Sequence, residues 1–426
     1  MEKKSKGSIL EIWSKYPIYR DIQISTILTS FFNWSSFIAM LFLLGEITNS
    51  GIELGVLWAL SGLSPLIFTA FLGVYLDRWN KKRSIIYSDF LRSLAFLLFL
   101  FIPFTEGFIS VFIFFISRFF TGLLGSFNST AKQVVIPQIV QKEDLVVANS
   151  YSYMITSTVR LSGAAVGGVI VSFFGINIAY LLTALSCLFS SFLIARHNWN
   201  EGSINKNDSI KKNFWKELSS GLAFARNNLY VKMILISSIT IGTIIGSYNL
   251  MLERYSSVVY AEQEYYLSLL YISEGITSVL IGYIVAKKNL IFKKKWKYGV
   301  MYVATGLAWI LFSFSTNIIQ GILSLILFGL FSALIVPFER FTMQNVVPDY
   351  LRGKVFSLWG TLTAVAIQAG ALITGFIIDF FGIQAVNQIT GSFHLLFGLI
   401  FTIIFAFNLN KSQTISSTKR EGTEIQ

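Results

Sequence analysis

The chain of 426 residues has little charge, one cysteine and few prolines. Only 13% of its residues are charged, against about 25% in soluble domains, and this excludes an ordinary soluble enzyme. The single cysteine, Cys187, allows neither an internal disulfide nor a metal site made of several thiolates. Six prolines and 31 glycines are too few for a fibrous protein, and 54% hydrophobic residues exclude a disordered chain.

Long apolar runs, rich in the 40 phenylalanines, take the place of the missing charge. The hydrocarbon core of a bilayer is about 30 Å thick and needs about 20 apolar residues per helix. Twelve such runs predict an all-α membrane protein with twelve transmembrane helices. The predicted spans are Ile22–Leu44, Gly55–Leu76, Ile85–Ile102, Ile109–Thr130, Asn149–Phe173, Ile178–Arg196, Val231–Leu250, Tyr265–Val285, Gly299–Phe314, Ile318–Pro337, Val355–Ile378 and Ala385–Phe407.

The net charge of +12 is concentrated in alternate loops between the apolar runs. Lysines and arginines cluster at 78–83, 206–232 and 287–297, after the second, sixth and eighth runs. Basic loops remain on the cytoplasmic side of a membrane. We therefore expect a multi-pass protein of the cell (plasma) membrane with both termini in the cytoplasm, and no nucleic-acid partner.

The twelve runs divide into two similar halves. Gly163–Ile176 and Gly370–Ile383 match at eight of fourteen positions and share FFGI, and QVVIP at Gln133–Pro137 parallels QNVVP at Gln344–Pro348. A parallel repeat is one way in which secondary transporters are built. The pattern predicts two six-helix bundles. Their predicted boundaries are a cytoplasmic segment at 1–21, an N-terminal bundle at 22–196, a cytoplasmic linker at 197–230, a C-terminal bundle at 231–408 and a cytoplasmic tail at 409–426.

The loop after the second run reads GVYLDRWNKKR. It resembles the signature that members of the major facilitator superfamily carry between their second and third spans. The matching residues are Gly73, Asp77, Arg78, Lys82 and Arg83. Asn80 replaces a glycine of the signature, and we expect it to adopt the left-handed turn that asparagine tolerates. The resemblance implies a twelve-helix fold and a cytoplasmic latch between the halves. The alternative is a plain basic loop.

Glycines carry two further resemblances to this superfamily. Arg118 with Gly122 and Gly125 resembles its fourth-span motif, which implies a role in proton transfer or in the inner cavity. The glycines at 163, 167 and 168 resemble its antiporter motif, and helix packing is an equal alternative.

Val347–Thr361 looks like the macrolide-efflux branch of drug:proton antiporters. That branch also includes exporters of siderophores and of peptide antibiotics.

Few charges lie inside the predicted spans. Asp89 and Glu339 fall near cytoplasmic ends, whereas Arg160 and Glu274 fall at similar depths near the middle of the membrane. Charges at that depth are costly and are usually paired. We hypothesise an Arg160–Glu274 ion pair that opens and closes and couples proton flow to transport. A static pair is the alternative, as is binding of an anionic substrate by Arg118 and Arg160.

Polar and aromatic groups of the first span predict a substrate site. Phe31, Asn33 and Trp34 place rings and hydrogen-bonding groups near the expected cavity, and Glu339 lies at the inner mouth of the tenth span. Amphipathic ligands need an apolar pocket with a few polar groups. Lipid contact or helix packing is the alternative for any one of the aromatic residues.

These features predict a monomeric exporter that works by alternating access, in which inward proton flow drives an amphipathic small molecule, such as a macrolide-like drug, outward. One alternative is export of an anionic metabolite such as a siderophore or a peptide antibiotic. Another is a membrane sensor or scaffold that transports nothing. The sequence has no Walker motif, catalytic triad or metal-ligand spacing. We therefore expect no enzymatic activity, metal or cofactor, and the expected partners are the substrate, protons and the lipid bilayer.

Overall fold

The computed structural model describes residues 9–48, 50–62, 80–141, 143–197, 222–260, 265–288 and 296–421. Within these ranges the ordered elements are all helices, and none is a strand. Eight helices are long and apolar enough to cross a membrane. An all-helical, multi-pass membrane protein is therefore confirmed, whereas the count of twelve spans stays a prediction.

The helices follow one another along the chain. Those of the first half are α1 (Ile9–Lys15), α2 (Pro17–Ile47), α3 (Gly51–Gly62), α4 (Lys81–Leu98) with a 3₁₀ extension at Phe99–Phe104, α5 (Phe108–Ile139) and α6 (Leu145–Ala195). Those of the second half are α7 (222–227), α8 (Leu229–Arg254) with a π-helical turn at Tyr255–Val259, α9 (Tyr265–Lys288), α10 (Trp296–Phe312), α11 (Ile318–Val346), α12 (Asp349–Phe381) and α13 (Ile383–Glu421).

The helices pack into two compact units. Unit 1 comprises Met1–Ile210 and Ser256–Ile272, and unit 2 comprises Lys211–Tyr255 and Ser273–Gln426. The core of unit 1 includes Ile22, Ile85 and Val135, from three different helices. The domain boundaries proposed from the sequence remain predictions.

The repeated FFGI sequence forms the same turn in both halves. Gly175 (φ 81°, ψ 166°) interrupts the 51-residue α6, between the predicted fifth and sixth spans. Gly382 (φ 85°, ψ 168°) separates α12 from α13. A Cβ at either glycine would meet nothing within 4 Å, so the backbone angles, which are essentially restricted to glycine, explain the residue type.

Glycines also allow close helix packing at equivalent places in the two units. A Cβ on Gly163 of α6 would lie 2.6 Å from the carbonyl oxygen of Phe31 in α2. In unit 2, a Cβ on Gly370 of α12 would lie 2.7 Å from Cα of Thr243 in α8. Small residues let helix backbones approach in this way. These contacts support the helix-packing alternative for the glycines that resemble the antiporter motif.

Large apolar side chains cover the outer surface. Phe104 is 82% exposed and Phe108 is 80% exposed, where α4 and α5 adjoin. The phenylalanine pairs that precede Gly175 and Gly382 are exposed as well. A surface of this kind matches an apolar solvent, as expected for lipid-facing helices.

The N-terminal helix α1 is attached to the end of α5 and the start of α6. Ile12 is buried in a cluster with Ile136. Lys15 Nζ donates to Asp144 Oδ2 at 2.7 Å, and Tyr16 Oη donates to the same oxygen at 2.7 Å. The hydrogen bond with Asp144 raises the pKa of Lys15, and the hydrogen bond with Lys15 lowers the pKa of Asp144.

The start of α4 corrects one expectation. Asn80 has φ −65° and ψ 115°, not the left-handed geometry expected, and its side chain accepts the backbone N–H of Arg83 at 2.8 Å. Asparagine therefore stands here as the N-cap of a helix. Lys82 and Arg83 belong to the first turn of α4, while Gly73, Asp77 and Arg78 lie outside the described residues.

Candidate functional site

Unit 1 contains a buried cluster of charges centred on Asp89 of α4, which is 0% exposed. Arg92 lies three residues further along the same helix face, with its Nη1 3.2 Å from Oδ1 of Asp89. Lys132 of α5 places Nζ 3.6 Å from Asp89 Oδ2 and donates to Ser25 Oγ at 2.7 Å. Ser190 of α6 donates to Asp89 as well. Helices α4, α5 and α6 thus supply the partners that a buried carboxylate requires, and Ser25 of α2 adds a partner for Lys132.

A polar cavity of about 420 Å³ adjoins this cluster. Three basic residues line it, and no acidic residue does among the described residues. Its remaining walls are hydroxyl, amide and glycine groups with a few apolar side chains. The lining residues are Ile22, Gln23, Thr26, Thr29, Ser30, Asn33, Trp34, Arg92, Arg118, Thr121, Gly122, Gly125, Ser126, Asn128, Ser129, Lys132, Gln133, Ile136, Ser152 and Thr156.

The charges of the cavity do not balance. Arg92, Arg118 and Lys132 carry three positive charges, and Asp89 supplies one negative charge behind the wall. Arg118 forms no ion pair within the described parts of the chain, and its Nε is buried there without a hydrogen-bond partner. Gly125 lies beside the Arg92 guanidinium, because a Cβ on it would make an ordinary contact of 3.5 Å with Arg92 Nε. The site therefore offers unused positive charge and N–H donors.

Two of the predicted substrate residues lie in the cavity wall. Asn33 lines it and accepts a long hydrogen bond from Arg92 Nη2, at 3.5 Å. Trp34 lines it beside Asn33. Phe31 does not line it, and its ring packs edge-on against Phe32 with centroids 5.2 Å apart. Contact of these residues with a substrate remains a prediction.

The predicted coupling residues lie in different units. Arg160 of α6 belongs to unit 1 and is exposed. Glu274 of α9 belongs to unit 2, is half-buried, and accepts a hydrogen bond from Ser278 Oγ at 2.7 Å. The pairing of Arg160 with Glu274 remains a prediction.

Glu339 occupies a closed site in unit 2. It is 0% exposed in α11, and its Oε1 accepts hydrogen bonds from Ser237 Oγ and from Tyr302 Oη. Contact of Glu339 with a substrate at the inner mouth of the predicted tenth span remains a prediction. The residue is enclosed by helices α8 and α10 and by the aromatic side chains around Tyr302.

Asp89, Arg92 and Lys132 were missed as site residues. Asp89 was assigned to the cytoplasmic end of a span, and Lys132 falls just beyond the predicted end of the fourth span. The sequence does contain one signal for Asp89 and Arg92. An acid and a base three residues apart inside an apolar run lie on one face of a helix, where they can pair. The contribution of Lys132 needs the packing of α5 against α4.

Known proteins similar to this chain are membrane transporters. A family model described as transmembrane secretion effector matches residues 14–426. The staphyloferrin A transporter of Staphylococcus aureus is 25% identical, over 87% of this chain and 92% of that protein. Macrolide efflux protein A of Streptococcus pyogenes is 22% identical, over 86% of this chain and 90% of that protein.

A solved structure has the same fold. The crystal structure of the nucleoside transporter NupG superposes with a TM-score of 0.65, covering 91% of this chain and 99% of that chain, at 15% identity. At this identity the likeness extends to the fold alone.

Proposed function

Because this chain belongs to the transmembrane secretion effector family of the major facilitator superfamily, a family of transporters and not of enzymes, we propose that it exports small organic molecules with anionic groups. The observation that carries the proposal is the cavity of unit 1, with three basic residues and no acidic residue among its described lining. A carboxylate or a similar anion would compensate the excess positive charge. A volume of about 420 Å³ lies within the usual range of ligand pockets.

Export of an amphipathic, macrolide-like molecule is the second candidate. Trp34 gives the cavity an aromatic wall, and macrolide efflux protein A is among the relatives. A neutral or cationic drug would leave Arg118 uncompensated, whereas an anion would pair with it. For this reason we place the anionic metabolite first. The relation to a staphyloferrin A transporter agrees with that order.

We further propose that transport is proton-coupled and proceeds by alternating access in the plasma membrane, with a monomer whose termini both face the cytoplasm. The Gly73–Arg83 loop would form the cytoplasmic latch, with Asp77 and Arg78 as its central pair. Arg160 and Glu274 would form the coupling pair. Support for these roles comes from the sequence pattern and the family.

The test is transport in inverted membrane vesicles from a host lacking its own exporters. Probes are labelled citrate, a siderophore panel, a macrolide and a cationic dye, each with and without a protonophore. We expect uptake of anionic probes that the protonophore abolishes. Uptake of the macrolide and dye alone would overturn the anionic assignment in favour of the second candidate. No uptake of any probe would favour a sensor or scaffold.

The variant Arg118→Gln tests the cavity directly. It removes the cation that has no ion pair in the described structure, and it leaves the Asp89 cluster intact. We expect at least a tenfold loss of anionic transport, which corresponds to about 1.4 kcal/mol of lost binding. Arg226→Gln, the same change at an exposed arginine of α7, is the matched control. Equal transport by the two variants would remove Arg118 from the site.

A further inference from the structure

A carboxyl group in unit 2 is buried without a counter-charge. Both hydrogen bonds to Glu339 converge on Oε1, from Ser237 of α8 and, at 2.5 Å, from Tyr302 of α10. Oε2 is equally buried and has no hydrogen-bond partner among the described residues. No ion pair involves Glu339 in the described parts of unit 2. A fully buried carboxylate left in this state would be very costly.

The other groups that face Glu339 supply no cation. The indole of Trp359 in α12 faces the carboxyl, and its Nε1 is buried without a partner in the described structure. His394 of α13 lies behind the ring of Tyr302, with centroids 5.2 Å apart. Arg340, the next residue in α11, is exposed and lies over the Trp359 ring at 6.0 Å. The donors that face Glu339 in the described structure, the hydroxyls of Ser237 and Tyr302 and the indole of Trp359, are therefore neutral groups.

The repeat provides an internal comparison for this site. Gln133 and Gln344 are equivalent by the repeated QxVxP sequence, and Asn128 and Glu339 each lie five residues before them. Asn128 is also buried, and it donates to Ser88 Oγ of the preceding helix, α4, at 2.9 Å. Unit 1 thus places a neutral amide where unit 2 places a carboxyl group. A protonated carboxyl has nearly the same shape as that amide.

The serines beside the two sites are equivalent too. Ser25 is the ninth residue of α2, and Ser237 is the ninth residue of α8. In unit 1, Ser25 accepts from Lys132, so that site contains fixed charge balanced by Asp89. In unit 2, Ser237 donates to Glu339 with no basic residue in the described network. The same position in the fold therefore contacts an ion pair in one unit and, in the other, a carboxyl group that has no ion pair in the described structure.

We propose that Glu339 is a proton-binding site, and that it is a neutral carboxylic acid in this conformation. The proton is held on Oε2, because Oε1 already accepts two hydrogen bonds. When water reaches the site, the proton passes from Oε2 to that water, and the resulting carboxylate accepts a hydrogen bond from the Trp359 indole N–H. Asp89, in contrast, is paired with Arg92 and Lys132. The inference deepens the proposed proton coupling by naming a second site for it.

The test measures the infrared spectrum of the purified full chain in lipid as the pH is raised from mildly acidic to mildly alkaline. A protonated carboxyl has a carbonyl stretching band that a carboxylate lacks. We expect a band that disappears as the pH rises and that is missing at every pH in Glu339→Gln. Asp144→Asn, the loss of an acid in the exposed pair with Lys15, is the matched control and should retain the band. Retention of the band in Glu339→Gln would overturn the proposal.

Tyr302→Phe provides a second test in case Glu339→Gln does not fold. It keeps the acid but removes one of the two donors to Oε1, so the band should move to higher wavenumber. An unmoved band in a folded Tyr302→Phe protein would overturn the assignment. Replacing choline by sodium at constant pH separates proton from sodium binding, and loss of the band in sodium would contradict a proton site. None of these readouts uses transport, so their failure would leave the proposed export standing.

Discussion

Replacing Asp89 by asparagine should destabilise the protein strongly, although the two side chains have the same shape. The change leaves Arg92 and Lys132 buried without the carboxylate that lies 3.2 Å and 3.6 Å from them. Removing one partner of a buried ion pair costs about 3–5 kcal/mol. Asparagine can still accept the hydrogen bond from Ser190, so the loss reports on charge and not on packing.

The free energy of unfolding would be measured by denaturant titration in detergent, followed by tryptophan fluorescence. The double variant Asp89→Asn/Lys132→Met removes one of the stranded cations, and it should recover about 0.5–3 kcal/mol relative to the sum of the single variants. Asp144→Asn, the same change in the exposed pair with Lys15, should have a much smaller effect. A loss below about 0.5 kcal/mol for Asp89→Asn, or strict additivity in the double variant, would refute the reasoning.

Two further predictions concern the glycine turns and the N-terminal helix. Gly175→Ala and Gly382→Ala should each cost about 1–3 kcal/mol, because alanine must adopt their positive φ. Gly360→Ala, in a helix with open space around it, should instead stabilise by about 0.5–1 kcal/mol in the same titration. The lowered pKa of Asp144 contributes stability above its usual value of 3.8, which is lost as the pH falls through the folded pKa. Protease protection of α1 should therefore decrease in acid, and Asp144→Asn should abolish that pH dependence. The raised pKa of Lys15 acts in the opposite direction, so its contribution is lost only in strong alkali.

Much of the fold could be predicted because a bilayer imposes simple requirements on a helix. A run as long and apolar as Ile22–Leu44 predicts a helix that is shielded from water. The structure has α2 at this position. The FFGI repeat indicated duplication, and Gly175 and Gly382 have nearly identical backbone angles. Asn80 was misjudged because the sequence does not show whether a polar residue turns the chain or caps the following helix.

The site was less predictable, since a position along a helix does not reveal which side chains face one another across helices. Arg118 was noticed because it interrupts an apolar run. Asp89 and Lys132 lie near the predicted ends of their spans, where charges are ordinary, and their pairing depends on how α4 packs against α5. The hydrogen-bond partners of Glu339, Ser237 and Tyr302, come from distant parts of the chain, so the sequence does not show that they meet.

The attachment of α1 to Asp144 has a consequence for the order of assembly. Lys15 and Asp144 are separated by 129 residues, so the anchor cannot form until the ribosome has completed α2, α3, α4 and α5. During that time α1 lacks this attachment. Closure of the Lys15–Asp144 contact would then report that the chain has been synthesised through α5.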